Sequence, residues 1–245
     1  MRIVAPLLIA ASIPVLLGMT CSTPERLLPS RLDAPSAVTV EITGIKLQGT
    51  VREALHVQWS AVHSDSIDVS EYCVLRKLPE DSLFRLIVDR IPDSITDFYD
   101  PIGNNIVFPG SGATKLVKYK TYAIDELGRA GDTSATTSIN LAWQVRNLSQ
   151  ADSSSRPRLT WTVSHVQGPF YTYLMVWDST KLIWKAPRPF IPTSFGSETS
   201  TFTASGSLPD SIPVLGTGRY FFGVILELTD ESKSISVGEF YVKNP

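Results

Sequence analysis

The side chains best suited to acid–base or metal chemistry in this chain are three histidines and two groups of aspartates. The histidines are His56, His63 and His165. None of them has the HExxH spacing or a cysteine next to it, so they form no recognisable zinc motif. The aspartates lie at Asp65 and Asp68 and at Asp93, Asp97 and Asp100. Paired carboxylates can hydrolyse glycosidic bonds or bind calcium, but neither group has EF-hand spacing, and aspartate is common in turns.

Two further chemical motifs are also incomplete. The chain has no G-x-S-x-G sequence, which would place a nucleophilic serine at a strand-to-helix turn. The segment 110–115 (GSGATK) is glycine-rich but lacks the Gly-Lys-Ser/Thr ending of a phosphate loop, which favours a hairpin tip. We therefore expect no catalytic residue, no metal site and no cofactor. A hydrolase using the carboxylates of residues 93–100 is the enzyme alternative.

The strongest indication of binding comes from apolar residues on two predicted strands. Residues 170–177 (FYTYLMVW) are apolar on both faces, whereas a sandwich strand usually alternates with polar residues. Residues 220–226 (YFFGVIL) show the same pattern. The outer set would form an apolar patch of the kind that marks an interface. The candidate binding residues are Tyr171, Trp177, Trp184, Phe221 and Ile225.

Three covers for this apolar face are possible. The preceding domain or the segment 186–199 could fold over it, as in ordinary interdomain packing. A protein partner could dock there, since Trp and Tyr are common interface anchors. A polysaccharide could stack on exposed aromatic rings. A one-residue slip in strand register exchanges the two faces, so the sequence does not say which set points outward.

These residues belong to a chain whose composition is that of an ordinary globular protein. It has 245 residues, 43% of them hydrophobic, and a formal net charge of −2. This composition excludes a fully disordered chain. The near-neutral charge argues against a general nucleic-acid binder, and two cysteines are too few for a disulfide-rich scaffold.

The N-terminus has the pattern of an export signal. Residues 3–17 form a 15-residue apolar run, which is too short for a comfortable membrane span but typical of a secretory signal. The run is followed by Cys21 and small polar residues, and this pattern resembles a bacterial lipoprotein signal. The resemblance implies lipidation of Cys21 and attachment to a membrane by acyl groups alone. The alternative is an ordinary signal cut near Thr20 or Ser22. We assign residues 1–20 to the signal and 21–34 to a tether.

Three aromatic landmarks recur at nearly constant spacing in the rest of the chain. Trp59 and Trp161 are 102 positions apart, and Tyr72 and Tyr119 each recur 101 positions later as Tyr173 and Tyr220. Short alternating segments surround them, as in β-sandwiches. The spacing predicts two tandem copies of one all-β domain, at 35–141 and 142–245, stacked end to end.

The first copy resembles a fibronectin type III domain. The resemblance rests on Trp59, on Tyr72 with Val74, and on a Y-x-x-x-A-x-D-x-x-G ending that begins at Tyr119. The second copy keeps the aromatic landmarks but lacks this ending, so it is a divergent member or another immunoglobulin-like domain. The resemblance implies about seven antiparallel strands in two sheets for each copy.

The sequence thus predicts an exported, lipid-anchored protein of the bacterial cell envelope without catalytic activity. We expect it to bind, adhere to or scaffold an envelope or extracellular protein, and the alternative partner is a polysaccharide. We expect no nucleic-acid partner and contact with the membrane through the lipid anchor only. By resemblance to lipoproteins, Ser22 after the cysteine favours the outer membrane, on its periplasmic or outer side.

Overall fold

The computed structural model describes most of the chain from Arg31 onward. The described residues are 31–64, 67–103, 105–110, 112–166, 169–187, 189, 200–207 and 214–243; for 164–166 and 200–207 only the backbone is described. The predicted signal segment, Cys21 and the tether up to residue 30 lie outside these residues. So do Asp65 and most of the segment 186–199.

Fourteen strands form within the described residues. The first seven are β1 Ser36–Leu47, β2 Thr50–Ser60, β3 Val69–Lys77, β4 Arg85–Pro92, β5 Asp97–Pro101, β6 Lys115–Asp125 and β7 Thr137–Leu141. The second seven are β8 Arg146–Gln150, β9 Arg158–Val166, β10 Phe170–Trp177, β11 Leu182–Lys185, β12 Ser200–Ser207, β13 Gly218–Leu228 and β14 Lys233–Val242. The part of the chain that the structure describes contains no helix long and apolar enough to cross a membrane.

The strands form two sandwiches that share one large sheet. Strands β1-β2-β5 make one small sheet and β12-β9-β8 another, while the remaining eight form a single sheet in the order β11-β10-β13-β14-β7-β6-β3-β4. Each sandwich therefore pairs three strands with four. The chain is an all-β protein of two tandem immunoglobulin-like sandwiches with the fibronectin type III strand count, as the sequence predicts.

The two halves of the large sheet meet at a single parallel pairing, of Leu141 on β7 with Lys233 on β14. Register partners point to the same face of a sheet. Leu141 lies in the core of the first sandwich, and Ile235, which shares a face with Lys233, points away from the core of the second. The two small sheets therefore cover opposite faces of the large one. The sequence predicts end-to-end stacking, but the structure instead joins the sandwiches side by side.

The first core contains the residues that carry the fibronectin resemblance. Trp59 and Tyr72 are in edge contact, with ring centroids 5.5 Å apart, and Tyr119 is fully buried. The Asp125 carboxylate accepts hydrogen bonds from the amides of Leu127 and Arg129 in the turn after β6. Gly128 in this turn has a φ of 76°, which a side chain would strain. The motif therefore builds a capped turn that starts the return towards β7.

The second core confirms that strands β10 and β13 are apolar on both faces. Phe170, Leu174 and Val176 point inward from β10 with Phe222, Val224 and Leu226 from β13, and they pack against β9. On the opposite face, Met175 and Trp177 of β10 and Phe221 and Ile225 of β13 pack into the other cluster, which belongs mainly to the first sandwich. Each of these two strands thus contributes to two cores.

The folded part begins earlier than the predicted domain boundary at residue 35. Leu32 is buried beneath the loop that joins β6 and β7, and its carbonyl accepts a hydrogen bond from the amide of Asp132 at 3.0 Å. Arg31 forms an ion pair with Asp132 at 2.9 Å. The last residues assigned to the tether therefore pack as part of the first sandwich.

Candidate functional site

The outer face of the second sandwich is covered by the first sandwich. The exposed fractions of Trp177, Phe221 and Ile225 are 4%, 4% and 6%, and all three lie in the same apolar cluster as Ile42 and Val51 of the first sandwich. The sequence analysis considered three ways of covering this apolar face, and in the structure the preceding domain covers it. All three are therefore interdomain core residues, and of the three only Ile225 lines the groove described below.

The cover is the far half of the hairpin formed by β1 and β2. This hairpin is longer than the first core needs, and beyond Ile42 its inner face continues over β10, β13 and β14. A Cβ atom on Gly44 would lie 2.7 Å from Cζ2 of Trp177, so the indole contacts the β1 backbone directly. The Glu53 carboxylate on β2 accepts a hydrogen bond from the amide of Val237 at 3.3 Å. Apolar packing and a polar contact thus join the sandwiches.

The other two candidate residues lie on opposite faces of the large sheet. Tyr171 is 37% exposed and points outward, in register with Glu227. Trp184 is half-buried and packs against the second core, because its register partner Val176 points inward. The five residues predicted as one binding surface therefore do not form one.

A groove of about 720 Å³ lies where the sandwiches meet. We call it the interdomain groove; it falls within the size range of typical ligand pockets. The first sandwich contributes the edge strand β1 and the ends of β6 and β7, and the second contributes β10, β11 and the turn between β13 and β14. Its lining residues are Val40, Glu41, Ile42, Leu116, Ser138, Ile139, Asn140, Tyr173, Lys185, Ile225, Glu227, Asp230, Glu231 and Lys233.

The groove has an aliphatic floor and an acidic rim. The floor includes Ile42 and Ile139 from the first sandwich and the predicted residue Ile225 from the second. The rim carries four carboxylates and two lysines, and Lys233 is paired with Glu227 at 3.5 Å. Burial raises the pKa of Tyr173, and the neighbouring Glu227 carboxylate raises it further. The groove is suited to a segment that presents apolar and basic side chains.

His56 lies in a polar cluster next to the groove. Its Nε2 atom is 2.8 Å from Asp97, its Nδ1 atom is 3.6 Å from the groove residue Glu41, and its ring stacks on Tyr99 with centroids 4.1 Å apart. Burial raises the pKa of Tyr99, with Asp97 and Glu41 adding to it. The imidazole on β2 therefore lies between a carboxylate on β1 and one on β5, and it links these three strands.

The other candidates for chemistry are dispersed. His63 and Asp93 are exposed, and the side chain of His165 lies outside the described residues. No group of three or more His, Cys, Asp or Glu side chains within the described ranges is placed to hold a metal ion. Cys73 is a free, buried thiol on β3.

The carboxylates of residues 93–100 do not act together. Asp97 points to the outer face of β5, whereas Asp100 points into the first core. There Asp100 accepts two hydrogen bonds from Arg76 at 2.8 and 3.0 Å and one from the hydroxyl of Tyr119 at 2.7 Å. This network links the two sheets of the first sandwich. Sequence reasoning treated Asp100 as a turn residue and missed the network.

Comparisons with known proteins add little to this picture. No protein-family model matches the chain, and no curated protein matches it. Among solved structures, it is similar to the FN1–FN3 domains of chicken CNTN1, with 16% identity and a TM-score of 0.31. The match covers 85% of this chain and 66% of that one, so the chain spans just under two thirds of that structure. The strand order described above is what assigns the fold.

Proposed function

We propose that this protein is an exported, lipid-anchored protein of the bacterial cell envelope that acts as a non-catalytic protein-binding or scaffolding module. The interdomain groove is the observation that carries the binding role. It is built from both sandwiches, and its floor continues the core they share. The export signal and Cys21 in the sequence support the location.

The composition of the groove favours a protein over a polysaccharide. A sugar platform needs exposed aromatic rings with polar groups beside them. Of the described residues that line the groove, only Tyr173 is aromatic, while five are aliphatic. Trp177 is buried and Trp184 is half-buried against the second core, so the two do not form a platform of exposed rings. An aliphatic floor with an acidic rim instead suits a protein segment with apolar and basic side chains.

Affinity capture with a matched pair of variants tests this function. Leu116 lines the groove and Leu127 lies in the turn after β6, and both side chains are exposed. Leu116→Arg would place a large cation in the groove without disturbing the core, and Leu127→Arg makes the same change elsewhere. The detergent-solubilised full-length chain would be used as bait on native envelope extract, with insoluble polysaccharides as a parallel matrix.

If the proposed function is correct, the wild type and Leu127→Arg should both retain one envelope protein. Leu116→Arg should no longer retain it. Retention of that protein by both variants would rule out the groove as its binding site. Retention on a polysaccharide alone would replace the proposed function with the carbohydrate-binding alternative.

A further inference from the structure

A second surface, which begins beside the groove residues Leu116 and Ser138, carries a row of lysines. We call it the basic face; it is the outer face of β3 and β6 together with the start of β4. The residues of β6 alternate, with Val117, Tyr119 and Thr121 buried inside the sandwich. Lys118 and Lys120 therefore point outward, next to Lys77 and Leu75 of β3.

The arrangement of these lysines is unfavourable for the fold alone. Lys77 and Lys118 are direct cross-strand partners, and like charges placed directly opposite destabilise a sheet. Lys120 follows on the same face two residues later. None of the three forms an ion pair with a described carboxylate: Lys77 bonds the carbonyl of Ser82, and Lys120 lies over the ring of Phe84. The chain as a whole is slightly acidic, so its composition does not explain the cluster.

Exposed aliphatic side chains border the lysines. Leu86 on β4 is 51% exposed and is the register partner of Leu75, which in turn pairs with Lys120. Leu83, just before β4, is also exposed. β4 is the last strand at its end of the eight-stranded sheet. The basic face is therefore a flat sheet surface with cations in the middle and leucines at its edge.

We propose that the basic face docks an extended acidic segment of a partner protein, in which carboxylates alternate with apolar side chains. Lys118 and Lys120 are two residues apart on a strand, which separates them by about 7 Å, the repeat of alternate side chains on any extended segment. Carboxylates at that repeat would neutralise the row, and the apolar side chains would reach Leu75 and Leu86. The rim of the adjoining groove has the opposite charge, so the two proposals require different ligands.

A synthetic peptide tests the proposal directly. The probe is a fluorescent decapeptide of alternating Glu and Val, with an uncharged Gln–Val peptide of the same length as the charge control. Binding to the detergent-solubilised full-length chain would be followed by fluorescence anisotropy. The double variant Lys118→Glu/Lys120→Glu is compared with Lys243→Glu, an exposed lysine near the C-terminal end of β14.

We expect the Glu–Val peptide to bind the wild type and Lys243→Glu equally, and the uncharged Gln–Val peptide to bind neither. The double variant should bind about tenfold more weakly at low salt, because two half-buried lysines that attract the peptide carboxylates are replaced by glutamates that repel them. The single variant Lys118→Glu should raise the Tm, since it replaces the like-charge pair with an opposite-charge pair. This single variant should also bind the Glu–Val peptide more weakly than the wild type does, and weaker binding by a more stable protein could not be attributed to unfolding.

Three kinds of result would overturn the proposal. One is equal peptide affinity for the wild type and the double variant. Another is a different anion as the preferred ligand, shown if phosphatidylglycerol vesicles or heparin bind the basic face more tightly than the Glu–Val peptide. Absence of any peptide binding by the wild type would also overturn it.

Discussion

The indole ring of Trp177 lies against the backbones of Gly44 and Gly223, one glycine from each sandwich. A Cβ atom on Gly44 would lie 2.7 Å from the ring and one on Gly223 would lie 2.8 Å from it. Both distances are shorter than a carbon–carbon contact allows. One side chain of the second sandwich is therefore seated in a slot that both sandwiches form.

Substitution of Gly44 with alanine should weaken the contact between the sandwiches. The added methyl group would meet Trp177 and also Val51, at 2.9 Å, so the core would be overpacked. We expect the free energy of unfolding to fall by about 1–3 kcal/mol. Gly216→Ala is the control, because a Cβ atom there meets nothing within 4 Å, and it should change stability by less than about 0.5 kcal/mol. Urea denaturation measures the stability of both variants. Equal stability would show that Trp177 does not pack tightly against the backbone at Gly44.

The buried ion pair of Arg76 and Asp100 should be needed for the first sandwich to fold stably. Asp100→Asn keeps an acceptor for Tyr119 but leaves the Arg76 guanidinium buried without a carboxylate. We expect a loss of about 3–5 kcal/mol in the free energy of unfolding. Asp132→Asn breaks the exposed pair with Arg31 and should change stability by less than about 1 kcal/mol. Similar effects from both substitutions, measured by thermal denaturation, would show that the network is not structurally important.

Tyr119 should make the protein less stable in alkaline solution. Burial raises the pKa of this phenol, and the Asp100 carboxylate beside it raises it further. Above about pH 10 the tyrosine ionises in the unfolded chain but keeps its proton in the folded one. The folded state then binds more protons, so stability falls as the pH rises.

Tyr119→Phe removes the ionisable phenol and, with it, this contribution to the pH dependence of stability. Between about pH 10 and 11 its free energy of unfolding should fall by about 1 kcal/mol less than that of the wild type. The variant also loses the hydrogen bond to Asp100, which lowers stability equally at all pH values in this range. Parallel pH profiles for the two proteins would contradict a protonated, buried phenol.

Cys21→Ser tests the membrane anchor. If Cys21 carries acyl groups, the variant should move from the membrane fraction to the soluble fraction of the cell envelope. Cys73→Ser is the control, because this thiol is buried in the first sandwich and cannot be acylated in the folded protein. Incorporation of a labelled fatty acid should be lost with the first variant alone. An unlabelled wild type would favour an ordinary secretory signal.

Much of the fold could be predicted from local pattern. The alternation at residues 170–177 indicated a strand with two apolar faces, and the structure buries both. The A-x-D-x-x-G ending indicated the turn at Asp125 and Gly128, because the carboxylate cap and the positive φ act within five residues. Period-two patterns and turn chemistry are local, so one sequence is enough to reveal them.

The candidate site could not be predicted in the same way. The cover over Trp177 comes from Gly44, 133 residues earlier, and no local pattern indicates that a hairpin passes beyond its own core. The buried Arg76–Asp100 pair, in contrast, could have been inferred from the sequence. Tyr72, Val74 and Arg76 alternate along β3 and therefore point to the same, buried face. A buried guanidinium needs a partner of opposite charge, so the position of Arg76 indicated a buried carboxylate.

Native-state hydrogen exchange would test most directly whether the two sandwiches, and the groove between them, form one cooperative unit. Amides of β2 and β6 report on the first sandwich and those of β10 and β13 on the second. Because Trp177, Phe221 and Ile225 of the second sandwich pack into the core of the first, we expect the most protected amides of all four strands to share one opening free energy and one urea dependence. If the second pair of strands opened at a free energy lower by about 2 kcal/mol or more, the sandwiches would be independent and the shared core would be contradicted.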